Sequence, residues 1–110
     1  MNKVIELLQS HRSIRKFQDR EVDQSIVEEL VRAGQGAATS SFIQACTVIQ
    51  VNDPQAREKL CSAAAGQQYV KEAPVFLVFC ADMQRHRLAC DMHQADMLSG
   101  FTEQFLTASV

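Results

Sequence analysis

Several features that define large classes of proteins are missing from this sequence. No stretch approaches the roughly 20 consecutive apolar residues of a membrane span, and the residues from Met1 to Gln9 contain no long apolar segment of a secretion signal. A basic surplus is also missing, because the formal net charge is −2. We therefore expect a cytoplasmic protein with neither a membrane nor a nucleic acid as its partner.

Cysteines are few, and none of them has the CxxC spacing of a redox pair. The four residues are Cys46, Cys61, Cys80 and Cys90. A secreted domain that depends on disulfides generally carries more, so we expect reduced thiols. Cys61 and Cys80 lie within apolar patterns, where a free cysteine usually behaves as a small core residue.

Length and composition predict one small globular domain at most. The chain has 110 residues, of which 46% are hydrophobic and 22% charged. No repeat, low-complexity tract or linker divides it. A domain of this size buries its core with a narrow margin of stability, so any missing element of structure would be felt.

Apolar spacing and capping residues predict three helices in the first part of the chain. Apolar residues repeat at helical spacing over residues 2–10. Asp23 is a good N-cap for a second, amphipathic helix that ends near Gly36. Asp53-Pro54 begins a third helix, which reaches about Ala64, because aspartate caps exposed amides and proline tolerates the first helical position.

The rest of the regular structure is predicted as two strands and a last helix. The segment from Thr47 to Val51 predicts a strand, and the continuously apolar segment from Val75 to Ala81 predicts a strand buried on both faces between helices. From about Cys90, the apolar residues fall mostly on one helical face: Met92, Met97, Leu98, Phe101, Phe105 and Leu106. These elements indicate an α+β or α/β-like unit whose two-stranded sheet needs further strands or cover.

One short segment concentrates positive charge directly after the first helix. Residues 11–17, which we call the basic heptad, contain His11, Arg12, Ser13, Arg15 and Lys16. Arginine keeps its charge and donates paired hydrogen bonds to phosphate oxygens, while serine adds a neutral donor. The composition suits a phosphorylated ligand, and the alternative interpretation is a solvated basic turn.

The basic heptad, His-Arg-Ser-Ile-Arg-Lys-Phe, resembles the N-terminal signature of NADPH-dependent nitroreductases and flavin reductases of the nitroreductase superfamily. Three later segments resemble that family in the same order and spacing. Residues 39–44 are similar to its serine-rich loop, residues 65–70 to its next flavin-site segment, and residues 76–82 to its central strand. The resemblance therefore covers essentially all of the chain, as the N-terminal half of the family.

The resemblance implies a partial nitroreductase-type fold of the α+β class, in which helices pack around a central sheet. Residues 1–110 would form a single incomplete domain, completed only by a C-terminal half and a dimer partner. The family's second half supplies a glycine-rich segment and further basic residues that these 110 residues do not contain. We therefore expect a truncated chain that is too short to complete an active site alone.

The resemblance also implies the chemistry. It implies a noncovalent FMN in sites shared across a homodimer, with NADPH as the cosubstrate. Hydride transfer would follow a ping-pong cycle that reduces small-molecule acceptors such as nitroaromatics, quinones or free flavin. Because the flavin carries out the reaction, no protein acid or nucleophile is required.

Site residues carry over from the resemblance by position. His11, Arg12 and Ser13 would hold the phosphate and ribityl end of FMN. Arg15 would approach the N1 and O2 edge of the ring, where a fixed cation stabilises the negative charge left by hydride addition. Gln67 would hydrogen-bond the pyrimidine edge of the ring, with Tyr69 beside it.

A further group would contact the flavin from the partner subunit: Thr39, Ser40, Ser41 and Gln44. Threonine stands at a position where the family commonly has serine, and it retains the hydroxyl. Simpler interpretations remain open for two sets of residues. Gln67 could cap a turn after Gly66, and Ser40 or Ser41 could be an N-cap.

Two alternative functions compete with the flavin hypothesis. Four potential zinc ligands fall within fourteen residues, namely Cys80, His86, Cys90 and His93. They lack the usual CxxC spacing, and Cys80 ends a strand that is expected to be buried. The second alternative is a noncatalytic fragment or small interaction module, which associates through the apolar side chains of Met97, Phe101 and Phe105.

Overall fold

Six α-helices and two β-strands form the regular structure of residues 2–109, which the computed structural model describes, with side chains described for residues 2–105. These elements divide into two compact units. The first unit comprises residues 2–21 and 53–74, and the second comprises residues 22–52 and 75–109. The chain therefore enters each unit twice, and residues 53–74 of the first unit interrupt the sequence between the two strands of the second.

The first unit is built from three helices with locally encoded starts. Helix α1 (Lys3–Gln9) begins where the Asn2 Oδ1 accepts a hydrogen bond from the Val4 amide at 2.9 Å. Helix α3 (Pro54–Ala63) begins with proline at its first position, and the Asp53 carboxylate accepts from the amides at positions 55 and 56. Helix α4 (Tyr69–Glu72) follows after one turn. The predicted capping by aspartate and proline is confirmed for α3.

The core of the first unit lies where α3 packs against α4. Cys61, Val70 and Ala73 are buried there. The Arg57 guanidinium donates to the Ala73 carbonyl at 2.6 Å, which ties the end of α4 back to α3. Burial of Cys61 confirms that this thiol acts as a small core residue.

The second unit contains the remaining elements. Helix α2 (Gln24–Gln35) begins at Asp23, whose Oδ1 accepts from the Ser25 amide at 2.8 Å, as the sequence predicts. A short 3₁₀ turn at Ser40–Phe42 leads into strand β1 (Cys46–Gln50). Strand β2 (Leu77–Ala81) precedes helices α5 (Gln84–Met92) and α6 (Phe101–Ser109), and α6 packs against β2.

The two strands pair antiparallel, with Cys46 opposite Ala81 and Gln50 opposite Leu77. Backbone bonds of 3.0 Å continue the ladder at both ends, from the Val51 amide to the Phe76 carbonyl and from the Asp82 amide to the Ala45 carbonyl. A cavity of about 360 Å³ separates this sheet from α2, and Gln24 and Gln50 exchange hydrogen bonds at its edge. The paired side-chain bonds hold α2 beside the sheet.

The prediction that the second strand is buried on both faces is wrong for this chain. Strand β2 is at most half-buried, and 70% of Phe79 is exposed. Within residues 2–109 the sheet has two strands, and α6 is the helix that packs against β2. A continuous apolar run reports that a strand can be buried, and it does not report which polypeptide covers it.

The single last helix predicted from about Cys90 is also wrong. Helix α5 starts earlier, because the Asp82 Oδ1 accepts from the Gln84 amide at 2.8 Å. It ends at Met92, and Gln94 then adopts a left-handed φ of 53°. Helix α6 begins independently at Phe101, where the Gly100 amide donates to the Glu103 carboxylate at 2.8 Å. Apolar residues on both sides of this break happen to share one helical spacing.

Asp82 joins β2 to β1 through hydrogen bonds that its ionised carboxylate accepts. Its carboxylate accepts from the Thr47 hydroxyl and from the Gln84 amide, and these bonds lower the pKa of Asp82 below its ordinary 3.8. A carboxylate with a lowered folded-state pKa stabilises the fold above the unfolded pKa, and this contribution is lost as pH falls through the folded value. Protonation of Asp82 in the folded state therefore costs stability.

We expect Asp82→Asn to flatten the loss of stability that acid causes between about pH 5 and pH 2. Urea unfolding midpoints of the wild type and the variant across this range measure the effect. Thr47→Val is the matched variant, because it removes the donor that contributes most to the lowered pKa and keeps the side-chain shape. An Asp82→Asn protein with the same pH slope as the wild type would contradict the assignment.

No helix within residues 2–109 is both long enough and apolar enough to cross a membrane.

Candidate functional site

The basic heptad has no regular structure and lies exposed after α1. The Arg12 guanidinium donates to the His11 carbonyl at 2.7 Å and to the Gln9 carbonyl at 3.2 Å, which folds this side chain back over the end of the helix. By contrast, the side chains of Ser13, Arg15 and Lys16 make no hydrogen bond or ion pair with any other residue that the structure describes. Two cations and a hydroxyl within four residues therefore lack a protein partner.

The second segment of the predicted site follows the C-terminal end of α3. Ala65 and Gly66 adopt left-handed φ values of 56° and 75°, and the Gly66 amide donates to the Cys61 carbonyl at 2.9 Å. Glycine suits this turn because it takes a positive φ without the steric cost of a side chain. The turn reverses the chain and starts α4 directly after Gln67 and Gln68.

Gln67 and Tyr69 are brought together in this turn. The Tyr69 hydroxyl donates to Gln67 Oε1, and the Cys61 thiol donates to the Gln67 carbonyl at 3.3 Å. The side chain of Gln67 thus bonds to a phenol and caps no backbone amide, so the simpler capping interpretation is wrong. Gln67 Nε2 makes no hydrogen bond with any residue whose side chain the structure describes, and it remains able to donate to a ligand.

The third segment, which we call the serine loop, covers residues 39–44 of the second unit. Three of its residues have left-handed φ values, at 53° for Ser41, 54° for Phe42 and 49° for Gln44. Such values are uncommon for residues other than glycine, and they cluster at functional sites. The sequence gives no sign of them, since none of these residues is glycine or asparagine.

Neither serine of the serine loop acts as an N-cap. Thr39 occupies the cap position of the 3₁₀ turn, which has no side-chain cap bond. The Thr39 Oγ1 instead accepts from the Gln44 amide at 3.3 Å, which closes the loop on itself. The side chains of Ser40 and Ser41 are exposed and make no hydrogen bond within the described part of the chain.

Two contacts that sequence reasoning missed hold the end of this loop. The Arg85 guanidinium donates to the Gln44 carbonyl, and the Asp82 amide donates to the Ala45 carbonyl. Arg85 lies 41 residues after Gln44, so no local pattern could have revealed the contact.

The predicted site residues are thus distributed over both units. The first unit contains the basic heptad, Gln67 and Tyr69, and the second contains the serine loop. Each segment is held by its own hydrogen bonds, and each offers exposed polar groups.

The zinc alternative is wrong for the described residues. No three His, Cys, Asp or Glu side chains among them come together in an arrangement that could hold a metal ion, and this includes Cys80, His86, Cys90 and His93. All four cysteines are free thiols, as predicted from their spacing.

Comparison with known proteins tests the resemblance directly. The sequence profile described as the nitroreductase family matches residues 8–107. This chain belongs to the nitroreductase family. The match includes the basic heptad, the serine loop, the Gln67 turn and both strands. The resemblance inferred from four short segments is therefore confirmed.

Relatives in the nitroreductase family align with this chain over essentially its whole length. FMN reductase (NADPH) of Bacillus subtilis (strain 168) is 37% identical over 113 residues, which cover 100% of this chain and 45% of that protein. The hypothetical oxidoreductase YcnD from Bacillus subtilis superposes with a TM-score of 0.91 at 39% identity, covering 99% of this chain and 45% of that one.

A third relative was solved with a bound nucleotide. NADPH:FMN oxidoreductase from Vibrio harveyi complexed with NAD⁺ superposes with a TM-score of 0.85 at 37% identity, covering 96% of this chain and 44% of that one. The chain therefore has the α+β fold of the nitroreductase family, and it spans less than half the length of these relatives.

Proposed function

We propose that this chain contributes the N-terminal half of the flavin site in an FMN-dependent oxidoreductase that oxidises NADPH. Residues 1–110 would form an incomplete domain, which a C-terminal half and a second subunit complete. Membership of the nitroreductase family supports this proposal, as do relatives that are named FMN reductase (NADPH) and NADPH:FMN oxidoreductase. A cytoplasmic location is part of the same proposal.

The observation that carries the proposal is the set of unpartnered donors in the basic heptad. The Ser13 hydroxyl and the Arg15 guanidinium are exposed, and neither has a partner among the residues whose side chains the structure describes. Guanidinium and hydroxyl donors together match the oxygens of a phosphate and a ribityl chain. The donor set fits the polar end of FMN.

Each residue of the heptad has a distinct role in this proposal. Arg12 already uses part of its guanidinium on two backbone carbonyls, so its orientation is fixed before a ligand arrives. The remaining donors of Arg12, together with His11 and Ser13, would hold the phosphate and ribityl groups. A preformed orientation reduces the entropy that binding would otherwise cost.

Arg15, Gln67 and Tyr69 would bind the ring system. An unpaired guanidinium at Arg15 would place a fixed positive charge at the N1 and O2 edge, where negative charge develops. The bond from Tyr69 to Gln67 Oε1 orients the amide, so that Gln67 Nε2 is the atom that donates to the pyrimidine edge. When bound, FMN would supply the hydride chemistry of a ping-pong cycle between NADPH and an acceptor such as a nitroaromatic, a quinone or free flavin.

The serine loop would serve the flavin site of the partner subunit in a homodimer. Its exposed Ser40 and Ser41 hydroxyls have no partner in the described chain, which leaves them available to a neighbouring molecule. Thr39 and Gln44 would keep the loop closed through their mutual hydrogen bond. No residue of the chain is assigned as an acid, base or nucleophile.

Flavin binding by the complete product of the gene that encodes this chain tests the proposal. We expect the purified protein to be a dimer that carries FMN or takes it up in a titration followed by flavin fluorescence, and NADPH to bleach the bound flavin. A protein that neither carries FMN nor binds it at micromolar concentrations would overturn the proposal. If the protein binds FMN but NADPH does not bleach it, the assignment of FMN as the cofactor stands and the assignment of NADPH as the cosubstrate is wrong.

A further inference from the structure

The serine loop needs external support to keep its conformation. Left-handed φ values at Ser41, Phe42 and Gln44 each cost conformational energy, and such residues persist only when surrounding structure holds them. Backbone bonds of the 3₁₀ turn support the first part of the loop, from the Phe42 amide to the Thr39 carbonyl at 3.0 Å and from the Ile43 amide to the Ser40 carbonyl at 3.1 Å. Gln44, the last left-handed residue, is held from within the loop by the bond of its amide to Thr39 Oγ1 at 3.3 Å, and a bond of this length is weak support.

Residues 82–85 supply the stronger support from outside the loop. The Arg85 guanidinium donates to the carbonyl of Gln44, the last left-handed residue. The Asp82 amide donates at 3.0 Å to the carbonyl of Ala45, which is buried. The Thr47 hydroxyl donates to the Asp82 carboxylate at 2.5 Å. Successive residues at the end of the serine loop are thus bonded to the junction between β2 and α5.

This junction is itself rigidly defined. Asp82 precedes the cap residue Met83, and its carboxylate accepts from the Gln84 amide at the first residue of α5, which ties the start of the helix to the end of β2. Arg85 lies in the first turn of this helix. The Arg85 guanidinium therefore connects the start of α5, which is bonded to the end of β2, to the Gln44 carbonyl. The side chain makes this contact although it is exposed.

We infer that Arg85 is a positioning residue, which fixes the Gln44 carbonyl and thereby the orientation of the Ser40 and Ser41 hydroxyls, which the proposed function assigns to the flavin site of the partner subunit. This inference rests on the proposed function. Arg85 acts through the loop and touches no reacting atom. A charged donor is suited to this role, because its hydrogen bond to a carbonyl is stronger than that of a neutral group.

Substitution of Arg85 in the complete gene product tests the inference. Arg85→Met removes the donors and keeps the length of the side chain, and Arg85→Lys keeps one charged donor. We expect Arg85→Met to raise the FMN dissociation constant about 3- to 10-fold, and Arg85→Lys to recover part of the loss. Arg87→Met is the control, since Arg87 lies on the same helix and its side chain makes no bond within residues 2–109.

Hydrogen exchange supplies a second readout that does not depend on flavin. The Gln44 amide should exchange about threefold faster or more in Arg85→Met than in Arg87→Met, while the urea midpoints of the two variants agree. Unchanged FMN affinity together with unchanged exchange at Gln44 overturns the inference. A general loss of protection with a lower urea midpoint also overturns it, because Arg85 would then be only structural.

The two hypotheses fail in different ways. A wild-type protein that binds no FMN defeats the proposed function, and exchange at Gln44 then decides alone whether Arg85 holds the loop. A wild type that binds FMN, with an Arg85→Met variant of equal affinity and equal exchange, defeats only the inference about Arg85.

Discussion

Replacing Arg15 with alanine is expected to weaken FMN binding about 10- to 100-fold in the complete gene product. The guanidinium has no partner among the residues that the structure describes, so its removal breaks no internal contact. The loss would come from the missing hydrogen bonds and charge at the edge of the ring, where a charged hydrogen bond is worth about 1.5 to 3 kcal/mol. Flavin fluorescence titration gives the affinity, and stopped-flow bleaching by NADPH gives the rate of reduction.

Arg20→Ala is the matched control for this substitution. Arg20 lies in the same irregular segment, outside the basic heptad, and its side chain makes no bond within residues 2–109. Arg15→Lys should fall between the wild type and Arg15→Ala, because lysine keeps the charge and loses the planar pair of donors. If Arg15→Ala leaves both the affinity and the rate of reduction unchanged, the role assigned to Arg15 is wrong.

Replacing Val70 with alanine is expected to lower the free energy of unfolding by about 2 kcal/mol. Only 3% of Val70 is exposed, so the substitution removes two buried methyl groups from one of the few buried side chains of its unit. Val70 also follows Tyr69 directly on α4, and its loss should loosen the pairing of Tyr69 with Gln67. Urea unfolding followed by circular dichroism measures the effect.

Val4→Ala serves as the control for the Val70 substitution. Val4 lies on α1 in the same unit and is 62% exposed, so the same chemical change should alter stability by less than about 0.5 kcal/mol. Equal effects at the two positions would show that Val70 is not part of a packed core. The FMN affinity of both variants separates damage to the turn at Gln67 from general destabilisation.

Features encoded by neighbouring residues could be predicted from the sequence. Asp23 and Asp53 cap helices because a carboxylate two or three residues before an exposed amide can accept from it, whatever the rest of the fold does. The basic heptad was placed correctly outside regular structure for a similar reason. Four segments in family order were enough to identify the nitroreductase family.

Features that depend on distant residues could not be predicted. The left-handed residues of the serine loop are ordinary in sequence, and the bond from Arg85 to the Gln44 carbonyl spans 41 positions. The break between α5 and α6 was hidden because apolar residues on both sides of Gln94 imitate one continuous helix. Exposure of Phe79 was missed because an apolar run indicates capacity for burial without naming what lies over it.

The four thiols differ in exposure, so their rates of alkylation differ with local opening of the structure. Cys46 is exposed directly after the serine loop, whereas Cys61 is 2% exposed beneath the Gln67 turn. An alkylating reagent will therefore modify Cys46 in the native state, but it can reach Cys61 only during transient opening of the α3 and α4 pair. The rate at which mass spectrometry detects the Cys61 adduct thus measures how often the Gln67 turn opens, and no cysteine has to be introduced for the measurement.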